Sequence, residues 1–219
     1  MNKTVRWKTA QFFEFLWWKR YLKNKSPELY LQNKLKYWKE VYEKLADKLT
    51  INERTKILDA GCGPSGMYML FPHNEVFAVD PLLSEYEKLN IFSYSMYPNV
   101  KFFQSTIEEF QFTRKFDVIF CLNVINHVSD IKKAIANLTS CLSDNGKIVY
   151  SIDVHNYNFL KFIFSSIPGD ILHPHQYSSE DYKSLFEESG LFEIYNETIK
   201  KGLIFNYEVF ILTKPTALN

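Results

Sequence analysis

Lys56-Ile57-Leu58-Asp59-Ala60-Gly61-Cys62-Gly63-Pro64-Ser65-Gly66 joins a short apolar run to a loop holding three glycines, after which a helix is expected. A strand that runs straight into such a loop brings backbone close to whatever lies beyond its carboxyl end, because glycine has no Cβ in the way. The pattern repeats outward from there. Val76–Val79 is a second apolar run, ended by Asp80 and Pro81, with a helix expected over 82–91. Val100–Phe103 and Phe116–Cys121 read as a third and a fourth strand, the latter almost wholly apolar, as when both faces of a sheet are covered. Ser129 or Asp130 can cap a helix reaching about Leu142, with Ile131, Ile135 and Leu138 on one face. Asp144-Asn145-Gly146 reads as a turn into a fifth strand, Lys147–Ile152. Ser178-Ser179-Glu180-Asp181 is a capping box for a helix stopped by Gly190, and Leu191–Ile199 with Leu203–Leu212 form a hairpin. Strand and helix in alternation mean an α/β fold: a mostly parallel sheet with helices on both faces, closed by an antiparallel C-terminal pair.

Asp80 ends the second strand, 17 residues after Gly63. A carboxylate at that place can accept both hydroxyls of a ribose, so loop and acid together point to an adenosine-containing ligand. Dinucleotides and S-adenosylmethionine both fit.

Composition narrows the classes further. The 219 residues are 46% hydrophobic and 23% charged, which excludes a disordered or fibrous chain. No apolar run approaches the roughly 18 residues of a membrane span. Three cysteines, Cys62, Cys121 and Cys141, make no paired framework and read as buried thiols of a reducing cytoplasm. The net charge of +1 conceals an asymmetry: residues 1–50 hold 12 Lys/Arg against 5 Asp/Glu, and the rest 14 against 20. All four tryptophans, Trp7, Trp17, Trp18 and Trp38, lie in that first stretch. Two helices are expected there, 10–23 and 28–49, divided by Pro27; the first is apolar around its whole circumference. Residues 1–50 are therefore read as a helical extension that covers the sheet edge as a lid. Residues 51–219 are read as the ligand-binding domain, with 154–176 as a cap on the substrate side. Basic and aromatic residues at 7–25 also suit peripheral contact with a membrane. An acidic body without a recognition motif argues against nucleic acid.

Several stretches resemble the class I S-adenosylmethionine-dependent methyltransferases of the small-molecule kind. Residues 57–64 are similar to motif I, Phe77-Ala-Val-Asp-Pro81 to motif II, and 116–130 to motif IV and its following loop. Residues 142–149 resemble the turn into strand five, and 175–192 the late helix and its approach to strand six. The resemblance runs over about residues 40–214. It implies a Rossmann-like seven-stranded sheet, S-adenosylmethionine as cofactor, and a methyl acceptor of small size. By position, Asp59, Gly61 and Gly63 would border the methionine end and Asp80 would hold the ribose. Leu82 would pack on the adenine, with Thr106 and Ile107 beside it, and Leu122-Asn123 would line the sulfonium. Thr106 departs from the acid usual at its place; a hydroxyl accepts a weaker bond than a carboxylate.

Methyl transfer to oxygen needs the acceptor proton removed, and His127 is the candidate base; the alternative is a histidine that packs the start of the following helix. Cys121 to Val128 is similar to ubiquinone-pathway O-methyltransferases, which carry acids where Asn123 and Asn126 stand here. Two amides make a poor site for a hard cation, so no metal is expected. His155, His173 and His175, in or beside the cap, are candidates for contact with a polar acceptor. O-methylation is slightly preferred over transfer to nitrogen or carbon. A nicotinamide-dependent oxidoreductase and a non-catalytic methyltransferase-like binding module remain the alternatives.

Overall fold

A computed structural model describes residues 3–155, 177–201 and 205–215. Two helices come first, α1 (Lys3–Leu22) and α2 (Pro27–Leu45). The β-strands follow as β1 (Ile57–Ala60), β2 (Val76–Val79), β3 (Val100–Phe103), β4 (Phe116–Leu122), β5 (Leu142–His155), β6 (Phe192–Lys201) and β7 (Phe205–Thr213). Between them lie α3 (Leu83–Tyr86), α4 (Ile131–Cys141) and α5 (Ser179–Glu188). The sheet order is β3-β2-β1-β4-β5-β7-β6. The first five strands pair in parallel and β7 pairs antiparallel with both β5 and β6. The direction of winding reverses between β1 and β4, which places a crevice at their carboxyl ends.

Side chains alternate across this sheet and feed two cores. Leu58, Ile119, Cys121 and Phe210 pack against Ile131, Ile135 and Leu138 of α4 and Phe186 of α5. Ile57, Phe120, Val149 and Ile211 face the other way, where Trp38, Val41 and Leu45 of α2 cover them. Burial on both faces is why β1, β2 and β4 carry no polar alternation. Cys62, Cys121 and Cys141 are buried free thiols.

The caps form as their residue types dictate. Ser26 accepts from the Leu29 amide at the start of α2, and Pro27 takes the first helical position, where its missing N–H costs nothing. Asp130 caps α4 through the Lys133 amide, 3.0 Å away. Ser178 and Asp181 form the reciprocal capping box of α5, and Gly190 at φ +74° ends it.

Three expected elements take other forms. The segment after the glycine loop is a single 3-10 turn, Met67–Leu70, rather than a full helix. Pro72 disfavours helix at Phe71, and Asn74 instead turns to hold the carbonyls of Asn52 and Thr55. The helix expected over 82–91 stops at Tyr86 because Leu89, Ile91 and Phe92 all enter the core, which one helical stripe cannot bring about. Asp144-Asn145-Gly146 lies within β5 as a bulge: Phe116 pairs with Leu142 but Val118 with Lys147. A Cβ on Gly146 would stand 2.9 Å from the Phe116 carbonyl oxygen, so only glycine fits that approach.

Candidate functional site

Four of the five parallel strands deliver residues to the crevice at their ends. Gly61 follows β1, Asp80 follows β2, Thr106 and Ile107 come after β3, and Leu122 and Asn123 leave β4. With Gly63 and His127 they line one cavity of about 560 Å³. The roof comes from the two N-terminal helices: Gln11, Glu14, Trp17 and Trp18 of α1, and Lys34, Tyr37 and Trp38 of α2.

The glycine loop is held from both sides. Gly61 (φ +73°) and Gly63 (φ +57°) take left-handed backbone, and the Gly61 amide donates to the Val79 carbonyl at 2.7 Å. Asp59 does not reach the cavity wall; its Oδ2 accepts from the Tyr68 amide at 2.9 Å behind the loop. Asp80 Oδ2 accepts from the Gly63 amide at 2.9 Å, and Oδ1 from the Leu82 amide at 2.8 Å. A carboxylate has about four acceptor positions, so Asp80 keeps acceptor capacity toward the cavity. From above, the Trp38 indole donates to the Ser65 carbonyl at 2.7 Å, and the Tyr30 and Ser65 hydroxyls share a hydrogen bond at 2.8 Å. α2 thus clasps the loop that β1 presents.

Three carboxyls are enclosed without an ion pair among the described residues. Burial pushes Asp59 up to about 7 and Asp80 up to about 6. Glu14 is raised to about 7, by burial first and then by the charge of Asp80. The Tyr86 hydroxyl donates to Glu14 Oε1 at 3.2 Å and ties α1 to α3.

The other predicted residues fall as follows. Leu82 is buried in the core beside the cavity, and Pro81 and Tyr86 line the wall there instead. The Thr106 hydroxyl is enclosed in the wall without a hydrogen-bond partner among the described residues. Asn123 has φ +57°, held by its amide donating to the Ser151 carbonyl at 2.9 Å, so the chain turns sharply out of β4 over the cavity. His127 stands at the cavity margin on the loop before α4. His155 ends β5, its backbone in register with Phe205; its side chain, like His173 and His175, lies outside the described residues. Among the described residues no group of His, Cys, Asp or Glu is placed to hold a metal ion, and no helix is long and apolar enough to cross a membrane.

Two features of the site escaped the sequence reading. Glu108 is buried and accepts from the Ser129 amide (2.7 Å), the Ser129 hydroxyl (2.8 Å) and the Asp130 amide (3.2 Å). It therefore fixes the loop that carries His127. Glu14 was the other, and a signal for it existed: it is the sole acid before Glu28 in a basic, aromatic stretch.

A family model described as a methyltransferase domain matches residues 30–194. The ubiquinone biosynthesis O-methyltransferase of Rickettsia prowazekii (strain Madrid E) is 30% identical over 201 residues, covering 87% of this chain and 77% of the relative. The chain belongs to the class I S-adenosylmethionine-dependent methyltransferases. Among solved structures, the methyltransferase is similar in fold to the magnesium protoporphyrin IX methyltransferase of Synechocystis PCC 6803 with bound SAH. That match has a TM-score of 0.67 at 17% identity and covers 97% of this chain and 100% of the other. It is also similar to the 1,6-didemethyltoxoflavin-N1-methyltransferase of Burkholderia thailandensis, with a TM-score of 0.64 at 13% identity, covering 96% and 88%. The methyltransferase cavity fits its family's cofactor: open space lies beside Gly63, where a Cβ would meet nothing within 4 Å, Asp80 retains acceptor capacity, and Thr106 offers a hydroxyl without a partner among the described residues.

Proposed function

We propose that this methyltransferase acts on a hydroxyl oxygen of a small molecule with an apolar part, with His127 as the base. The observation that carries the reading is that His127 lines the same cavity as the glycine loop, Asp80 and the β4 exit. S-adenosylmethionine, when bound, supplies a methyl group on a sulfonium, ready for in-line displacement. Asp80 would hold the ribose hydroxyls and Thr106 the adenine amino group, with Ile107 against the ring. Gly63 would give room for the methionine end, with Gly61 making the turn and Asp59 bracing the loop from behind. Leu122 and Asn123, which line the cavity, would border the sulfonium. His127 takes the proton from the acceptor hydroxyl, and Trp17, Trp18 and Tyr37 exclude water from the reacting atoms.

The name of the curated relatives brings ubiquinone biosynthesis into the reading. A ring hydroxyl on a molecule with a hydrocarbon tail suits a cavity roofed by aromatic side chains. The extension 1–50 acts as the lid of the domain 51–219, with 154–176 as its substrate-side cap. The location proposed is the cytoplasm, with peripheral contact at the membrane through residues 7–25.

Single-turnover transfer of labelled methyl to phenolic acceptors with and without an isoprenoid tail tests this function. His127→Ala is expected to lower the rate by about 10²–10⁴-fold while S-adenosylhomocysteine still binds. An unchanged rate would remove His127 from the chemistry.

A further inference from the structure

We propose that the outer face of α1 rests on an anionic lipid surface and brings the cavity mouth to it. α1 has two unlike sides. Glu14, Phe15, Trp18 and Leu22 turn inward, where Trp18 meets the rings of Tyr30 and Tyr86 edge-on at 6.4 and 6.2 Å. Phe12, Phe13, Leu16, Trp17 and Tyr21 turn outward, with Phe12 59% and Trp17 52% exposed. A helix whose solvent side is this apolar has a partner to meet.

Charge identifies the partner. Lys19, Arg20, Lys23 and Lys25 are exposed around the patch, and no acid lies in the sequence between Glu14 and Glu28. None of these four cations makes an ion pair among the described residues. Lys25 lies over the Tyr21 ring, 3.3 Å from its centroid. Tryptophan and tyrosine with flanking lysine and arginine are the side chains of a helix lying in a lipid interface, where each cation near an anionic surface adds attraction. A second copy of the chain is disfavoured as the occupant, since a twofold contact would set the same cations against each other. The helix is not of a kind that spans a bilayer, so it lies on the surface.

Trp17 belongs both to the exposed face and to the cavity wall, beside Gln11, Glu14 and Trp18. Docking through this face therefore opens the cavity toward lipid, and an acceptor with an apolar tail enters without crossing water. The route of entry rests on the methyl-transfer reading; attachment to lipid does not.

The test is co-sedimentation of the full chain with vesicles of phosphatidylcholine alone and of phosphatidylcholine with phosphatidylglycerol. Binding is expected only to the anionic vesicles, with release in high salt. Joint replacement Phe12→Ser, Phe13→Ser, Leu16→Ser and joint replacement Lys19→Glu, Arg20→Glu, Lys23→Glu should each weaken partitioning about tenfold or more. Both sets are exposed, so the thermal midpoint should hold. Three results would overturn the proposal: equal binding to neutral vesicles or none to either, variants that bind like the parent, or a dimer on gel filtration that the serine variant dissolves. S-adenosylhomocysteine binding measured without vesicles reports on the cofactor site separately.

Discussion

Gly61 and Gly63 share a left-handed backbone but differ in surroundings. A Cβ on Gly61 would run into the Val124 side chain, whereas one on Gly63 would meet nothing within 4 Å. Gly63→Ala is thus expected to cost about 1–2 kcal/mol from backbone conformation alone. Gly61→Ala adds a collision and should unfold at lower temperature and lose cofactor binding, which thermal melts with and without S-adenosylhomocysteine will show. Thr106 makes a sharper case, since its hydroxyl is enclosed and unpartnered. Thr106→Val removes a polar group that the free protein leaves unsatisfied, so the free protein should gain up to about 1 kcal/mol. Cofactor affinity, read by titration calorimetry, should fall about five- to tenfold, in line with a lost hydrogen bond of about 1 kcal/mol. A parallel loss of both would mean that the hydroxyl serves the fold instead.

At the scale of elements, the loop 123–130 matters most, because β4 and α4 are rigid and the residues between them face the cavity. Glu108 reaches this loop from the segment after β3 and satisfies two of its amides. Hydrogen bonds to a charged group contribute about 1.5–3 kcal/mol each. Glu108→Ala is expected to lower stability by about that much. It should reduce turnover further than it reduces cofactor affinity, because the residue it displaces is His127 and not Asp80. Steady-state kinetics beside calorimetry separates the two. The glycine loop was legible from sequence because strand, glycines and Asp80 stand at short fixed spacings, and because each glycine answers a local backbone need. Glu108 was not legible: its partners lie 21 and 22 residues away, and nothing in the intervening chain marks it. His155, His173 and His175 remain expectations, the last two outside the described residues.

For the whole molecule, packing α1 over the crevice encloses Glu14 near Asp80, with Asp59 behind the loop. All three hold protons to a higher pH when folded than a carboxyl in the unfolded chain, which titrates near 4. Between about pH 4 and 7 the folded protein therefore binds more protons than the unfolded one, and stability contributed by these groups is lost as pH rises through that window. The free protein should melt lower at pH 8 than at pH 5 on their account. Glu14→Gln should raise the midpoint at pH 8 by a few degrees and leave it nearly unchanged at pH 5. Equal shifts at both pH values would show that Glu14 is not the titrating group. With the proposed site, cofactor binding runs the other way with pH, because Asp80 would accept two ribose hydroxyls best when ionised. Affinity should weaken as pH drops through about 6, and Asp80→Asn should flatten that dependence.

Periodicity, caps and glycine spacing were enough to read an α/β sheet with a C-terminal hairpin, a nucleoside site at its carboxyl edge and two N-terminal helices. All of these depend on residues close together in the chain, whose backbone preferences and burial patterns are local. The extent of the helices after β1 and β2 was not readable, because core packing of Leu89, Ile91 and Phe92 overrode the local helical tendency. Nor was the roof. Tyr86 meets Glu14 across 72 residues and Trp38 meets Ser65 across 27. Which side of α1 faces inward follows from those contacts alone, since its sequence is apolar all round and favours no face. The orientation came from long-range packing, and with it came the carboxyl over the cavity and the aromatic face left toward solvent.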